Sequence, residues 1–157
     1  MLGHTAPMLH SFKFAALPFV AMLAACSGGG PDGSATPGDR SDTQPYAEIG
    51  AEEALRFTGT EPFWGGTVAG GTLTYTTPDN PDGWAVRVAR FAGRNGISFT
   101  GSHDGREVVL AATPGTCSDG MSDRRYPFHV TLRIAGETRM GCAWSSVDPF
   151  SGPAAGQ

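Results

Sequence analysis

Between Phe128 and Ala135 the chain alternates apolar and polar residues: Phe128, Val130, Leu132 and Ile134 take one phase, and His129, Thr131 and Arg133 the other. Successive side chains of a strand point to opposite faces, so this is the pattern of a half-buried strand. The same reading gives strands at Pro62–Ala69, Thr72–Thr77, Trp84–Phe91, Ile97–Thr100, Glu107–Thr113 and Arg139–Trp144. In Trp84–Phe91, Trp84, Val86 and Val88 share a face and Arg87 takes the other. Turn residues punctuate these runs: Gly70-Gly71, the PDNPDG segment Pro78–Gly83, Ala92–Gly96, His103-Asp104-Gly105 and Gly136-Glu137. No window shows sustained helical periodicity, although Ile49–Phe57 reads as a helical turn or two where the domain begins. The expected fold is all-β: a small antiparallel up-and-down barrel or strongly curved sheet of about seven to eight strands. A β-sandwich is the alternative.

The N-terminal pattern is different. Phe14–Leu23 is an apolar run of about 10 residues, broken by Pro18 and preceded by Lys13, against the roughly 20 that a membrane-spanning helix needs. It ends in Leu23-Ala24-Ala25-Cys26. This segment resembles the lipobox of bacterial lipoproteins, which implies a leader at 1–25, cleavage before Cys26 and lipid on that cysteine. An ordinary signal peptide with an incidental Cys26 is the competing reading. More than one acyl chain makes such an anchor stable. By the same analogy, Ser27 after the cysteine implies export to the periplasmic face of the outer membrane if the cell is Gram-negative.

Composition then sets the domain limits. Residues 26–53 read as the lipidated cysteine and a tether, because Ser27–Pro45 is rich in Gly, Ser, Pro and Asp and offers little to bury. If flexible, 27 such residues reach roughly 30 Å. The β-domain is expected at 54–148, one small core, and 149–157 as a disordered tail. The formal net charge of the 157 residues is −4, and it becomes −5 without Lys13, the only lysine. With scattered arginines and an acidic balance, nothing points to nucleic acid.

Of the three cysteines, lipid on Cys26 leaves Cys117 and Cys142. In an oxidising compartment a pair in a small domain most often forms a disulfide. A metal or redox pair is the rival, without a close-spaced Cys or His to support it.

Two segments stand out: Gly59-Thr60-Glu61-Pro62-Phe63-Trp64 and Cys117-Ser118-Asp119-Gly120-Met121-Ser122-Asp123-Arg124-Arg125-Tyr126-Pro127-Phe128. With Gly141-Cys142-Ala143 they resemble a family of uncharacterised bacterial lipoproteins and membrane-associated proteins with GTEPFW and CSDGMSDRxYPF motifs. The resemblance spans Phe57–Trp144. It implies the domain limits and the lipoprotein class, and it supplies no catalytic residue. A looser likeness is to small envelope β-domains such as META domains and inhibitors of C-type lysozyme, without the serine-glycine-tyrosine signature of those inhibitors.

Phe63 and Trp64 are adjacent, so one faces the core and the other solvent; they serve packing or form an aromatic ligand platform. Glu61 is a partner for Arg124 or Arg125, or a binding carboxylate. Asp119 and Asp123 suit either a self-bonded loop or a hard cation, although their spacing is not that of an EF-hand. Arg124 and Arg125 can take an anion by bidentate bonds. Tyr126 is expected to cap the core through a bonded hydroxyl. His103, in a turn, and His129, on an outer face, have no nucleophile or carboxylate in a recognisable catalytic motif. The sequence therefore assigns no catalytic residue, no metal and no cofactor. It points to a lipid-anchored envelope protein, non-enzymatic, acting as a binding module toward an envelope protein or cell-wall ligand or in an envelope-stress or structural role. The candidate surface is Glu61, Trp64, Asp119, Asp123, Arg124 and Arg125. An inhibitor of a lysozyme-like wall hydrolase is the alternative, and a wall-active enzyme a third.

Overall fold

The computed structural model describes Gly3 and residues 43–153. The leader, Cys26, most of the tether and residues 154–157 lie outside the described residues. Among the described residues every strand lies in the unit Asp39–Gln157. The eight strands are β1 (Leu55–Thr60), β2 (Phe63–Ala69), β3 (Thr72–Thr77), β4 (Asn80–Ala92), β5 (Ile97–His103), β6 (Arg106–Cys117), β7 (Tyr126–Ile134) and β8 (Glu137–Ser145). Each pairs antiparallel with the next, and β8 returns to β1 in the register Leu55↔Ser145 to Thr58↔Cys142, which closes the barrel. Closure removes the free edges that an open sheet would expose.

The period-two pattern decides what fills the interior. Phe128, Val130 and Leu132 of β7 are buried while His129, Thr131 and Arg133 face outward. Leu55, Phe57, Leu73, Val108 and Leu110 join them in one continuous core. Burying each such side chain contributes roughly 1.5–3 kcal/mol. Gly70 and Gly71, at φ 53° and 70°, make the two-residue β2–β3 turn with both central residues left-handed, the geometry that matches strand twist.

Several expectations change. Ile49–Phe57 forms no helix: from Leu55 onward it is β1, with Leu55, Phe57 and Gly59 buried and Arg56 exposed. The apolar period there is two, and Glu52-Glu53-Ala54, which favour helix, only precede it. Packing also begins inside the segment expected as tether. Ile49 is 1% exposed in the core, the Tyr46 N–H donates to the Gly93 carbonyl at 2.7 Å, and Arg90 Nη2 donates to the Ile49 carbonyl at 2.7 Å. Part of the PDNPDG loop is strand, because β4 starts at Asn80 and a register shift between Tyr75 and Thr77 absorbs the irregularity. The chain stays packed to Ser151, which pairs through its backbone with Arg125.

A second, smaller cluster lies outside the barrel wall. Cys142 has the outward phase of β8, and the disulfide Cys117–Cys142, with Cα atoms 5.6 Å apart, ties the β6 end across β7 to it. Tyr126 is buried here, with Trp144 and Phe150 against it. The three rings lie 5.4–5.6 Å apart.

Up-and-down order puts the β1–β2, β3–β4, β5–β6 and β7–β8 turns at one end, here the Pro62 end. Pro62 lies in the first of these turns, and β2 starts at Phe63, one residue later than the sequence suggests.

Candidate functional site

The loop between Cys117 and Tyr126 is built around the Asp119 carboxylate. Its Oδ1 accepts from the Met121 and Ser122 N–H groups at 3.0 and 2.8 Å, and its Oδ2 from the Ser122 and Tyr126 hydroxyls at 2.8 and 3.1 Å. Burial opposes ionisation, but these bonds outweigh it and lower the Asp119 pKa to about 2. The arginines are occupied as well. The Arg124 guanidinium lies 4.4 Å from the Phe150 ring centre and donates through Nε to the Pro153 carbonyl at 3.1 Å. Arg125 Nη1 donates to the Arg124 carbonyl at 3.0 Å. Asp123 is exposed. Among the described residues no group of three or more His, Cys, Asp or Glu side chains is arranged to hold a metal.

The six residues expected to share a surface do not. Trp64 is 3% exposed and packs inside the barrel, while Phe63 is 52% exposed; the split between the two rings is as expected, and it removes Trp64 from any outer surface. Glu61 forms no ion pair with Arg124 or Arg125 among the described residues. It borders a pocket at the Pro62 end that none of the loop residues lines. Thr60 links the two motifs, its hydroxyl donating to the Asp119 carbonyl at 3.2 Å.

The chemistry instead gathers inside the Pro62 end. A row of rings runs along the inner wall over four neighbouring strands: Trp64 to Tyr75 at 6.3 Å, Tyr75 to Trp84 at 5.1 Å, and Trp84 to His103 at 4.0 Å, nearly parallel. Arg139 of β8 shares the inward phase of Gly141 and Ala143. Its guanidinium donates to the Tyr75 hydroxyl, lies 5.8 Å from that ring centre, and donates through Nη2 to Glu137 at 2.8 Å. Burial raises the Tyr75 pKa, Arg139 lowers it, and Glu137 raises it again. Two buried N–H groups here, Trp64 Nε1 and Arg139 Nε, have no hydrogen-bond partner. Such groups are costly to leave unmet; Arg90 Nε, toward the other end, is a third among the described residues.

Two pockets open on this end. One, of about 650 Å³, is bounded by Glu61, Pro62, Phe63, Pro78, Asp79 and Arg139, with Thr60 and Thr77. The other, of about 390 Å³, is bounded by Trp84, His103, Arg106, Val108 and Ile134 with the adjoining turn residues. His103 therefore ends β5 with its ring turned inward against Trp84, rather than sitting in the turn. The sequence does not single out Tyr75, Trp84 or Arg139 as site residues, and it gives His103 no partner. Arg139 carried a signal: a charge at the inward phase of a strand, two positions before Gly141 and four before Ala143.

These features define a class: a closed, eight-stranded, up-and-down barrel with a disulfide-pinned outer loop and an aromatic mouth around one arginine. No family model, curated protein or solved structure matches the chain.

Proposed function

We propose that this protein is a lipid-anchored component of the bacterial cell envelope and that its barrel is a non-enzymatic binding module with its ligand site at the Pro62 end. The anchor is lipid on Cys26, with residues 27–42 as spacer. The lipobox-like Leu23–Cys26 and the family-like motifs at Gly59–Trp64 and Cys117–Phe128 support the address. The observation that carries the binding reading is Arg139, an inward-pointing cation held by Tyr75 and lining the 650 Å³ pocket. A sequence selected only for stability would place an aliphatic residue there, and conflicts of this kind collect at functional sites. The partner is an envelope protein or a cell-wall component, and no nucleic acid is involved.

Two experiments test this. Labelled palmitate should enter the full chain and not Cys26→Ala; equal labelling of both removes the anchor. The chain from residue 26 onward, carrying Cys26→Ser, should capture an envelope component that the same chain with Arg139→Met does not. Capture by both variants alike, or by neither, overturns the mouth as the binding site.

A further inference from the structure

We infer that the 650 Å³ pocket at the Pro62 end receives a small zwitterion, specifically a short peptide with both termini free. This rests on the binding-module reading and names its ligand. The volume falls within the roughly 300–1,000 Å³ usual for small-ligand sites.

The charges on the wall select the class. Arg139 stands on one side, with its side chain 20% exposed. Of the five N–H groups of a guanidinium, the bonds to Tyr75 and Glu137 take two, so the fork retains donors for a carboxylate. Glu61 and Asp79 stand at the rim, both exposed, and neither is in an ion pair among the described residues. Arg139 already has Glu137 beside it, so the wall as a whole is negative. A dianion such as phosphate, or a lone carboxylate, meets that negative rim and is repelled. A molecule that brings its own ammonium group to Glu61 and Asp79 and its carboxylate to Arg139 satisfies both ends. Pro62, Phe63 and Pro78 add apolar lining to the same pocket, suited to an aliphatic side chain.

The test is calorimetric titration of the soluble chain from residue 26, carrying Cys26→Ser, with the dipeptides Ala-Leu, Leu-Ala and Leu-Leu, each also N-acetylated and C-amidated, and with inorganic phosphate. At least one free dipeptide should bind, and either block should weaken it by about tenfold or more, the loss expected when a charge-assisted contact is removed. Glu61→Gln with Asp79→Asn, both exposed and without effect on the core, should erase the penalty of acetylation while leaving that of amidation. Arg139→Met should do the converse. Tight binding of phosphate, indifference to both blocks, or no binding of any free dipeptide in the millimolar range overturns the inference. If the dipeptides fail while capture from envelope extract still depends on Arg139, the ligand class is wrong and the binding-module reading stands. If both fail, that reading falls too.

Discussion

The Thr60 hydroxyl reaches 59 positions along the chain to the backbone carbonyl of Asp119, at 3.2 Å. It fastens the loop after Cys117 to the outer face of β1, and Asp119 then organises that loop through four hydrogen bonds from Met121, Ser122 and Tyr126. Asp119→Ala leaves two backbone N–H groups and the Tyr126 hydroxyl without their acceptor. A loss of roughly 1–2 kcal/mol is expected, small for four bonds because water replaces several of them at this surface. The urea midpoint checks it, and no change in midpoint would mean that the disulfide alone holds the loop.

The same carboxylate makes stability depend on acid. The Asp119 pKa is about 2 in the fold against roughly 3.9 in an unfolded chain. A depressed folded pKa gives stability that is present above the unfolded value and is lost as pH falls through the folded one. Between about pH 4 and pH 2 the protein should lose about 1 kcal/mol from this group, after discounting for solvent screening. Asp119→Asn should flatten that part of the stability–pH curve, measured by denaturant titration at each pH. An unchanged slope would assign the acid sensitivity to other carboxylates.

The disulfide constrains the chain at a larger scale. Cys117 and Cys142 lie 25 positions apart, and closing such a loop stabilises the fold by roughly 3–4 kcal/mol through the unfolded state on the chain-entropy model. The double variant Cys117→Ser/Cys142→Ser, or reduction of the native bond, should lower the unfolding free energy by about that amount. Near-ultraviolet circular dichroism should lose the signal of Tyr126, Trp144 and Phe150 before the barrel melts, because that cluster packs against the disulfide outside the barrel wall. Coincident loss of both would show that loop and barrel unfold as one unit.

Much of the barrel was legible because its strands obey a simple period. Thr72–Thr77 was read with its observed limits, and the phase of Phe128–Ile134 placed every one of its side chains. β1 was missed because helix-favouring Glu52, Glu53 and Ala54 precede the alternation of Leu55, Phe57 and Gly59. Tyr46 and Ile49 were assigned to the tether because burial of two isolated side chains leaves no periodic trace. The site was less legible than the fold. Local motifs drew attention to Asp119–Arg125, whose polar groups turn out to bond one another. The mouth is assembled from single residues of five strands, Trp64, Tyr75, Trp84, His103 and Arg139, which only closure of the sheet brings together.

Gly59 is small because Trp64 lies against it, and Gly141 because the β1 backbone does. A Cβ at Gly59 would overlap the Trp64 indole, and one at Gly141 would meet the Thr58 carbonyl oxygen. Overfilling a packed interior costs roughly 1–3 kcal/mol, so Gly59→Ala should lower stability by that amount. If the indole is the cause, Trp64→Leu should couple with Gly59→Ala: the double variant is less destabilised than the two single changes added together. Simple additivity in that cycle would place the strain in the β1 backbone instead.

Arg139 gives the sharpest separation of stability from function. It is an inward cation whose compensating carboxylate, Glu137, is 67% exposed, and its Nε–H is buried without a partner. Replacing a partly buried charge with an apolar side chain of similar length is often neutral or stabilising. Arg139→Met should therefore leave the urea midpoint unchanged or raise stability by up to about 1 kcal/mol, less whatever the Tyr75 hydroxyl loses with its donor. Arg139 also lowers the Tyr75 pKa while burial raises it, so ultraviolet titration of the variant should show one tyrosine ionising at a higher pH than in the parent. A variant that is as stable as the parent, titrates in this way and no longer binds would mark Arg139 as kept for ligand rather than for fold. A loss of several kcal/mol would instead make it a structural residue of the barrel and remove the main reason for placing the site at this end.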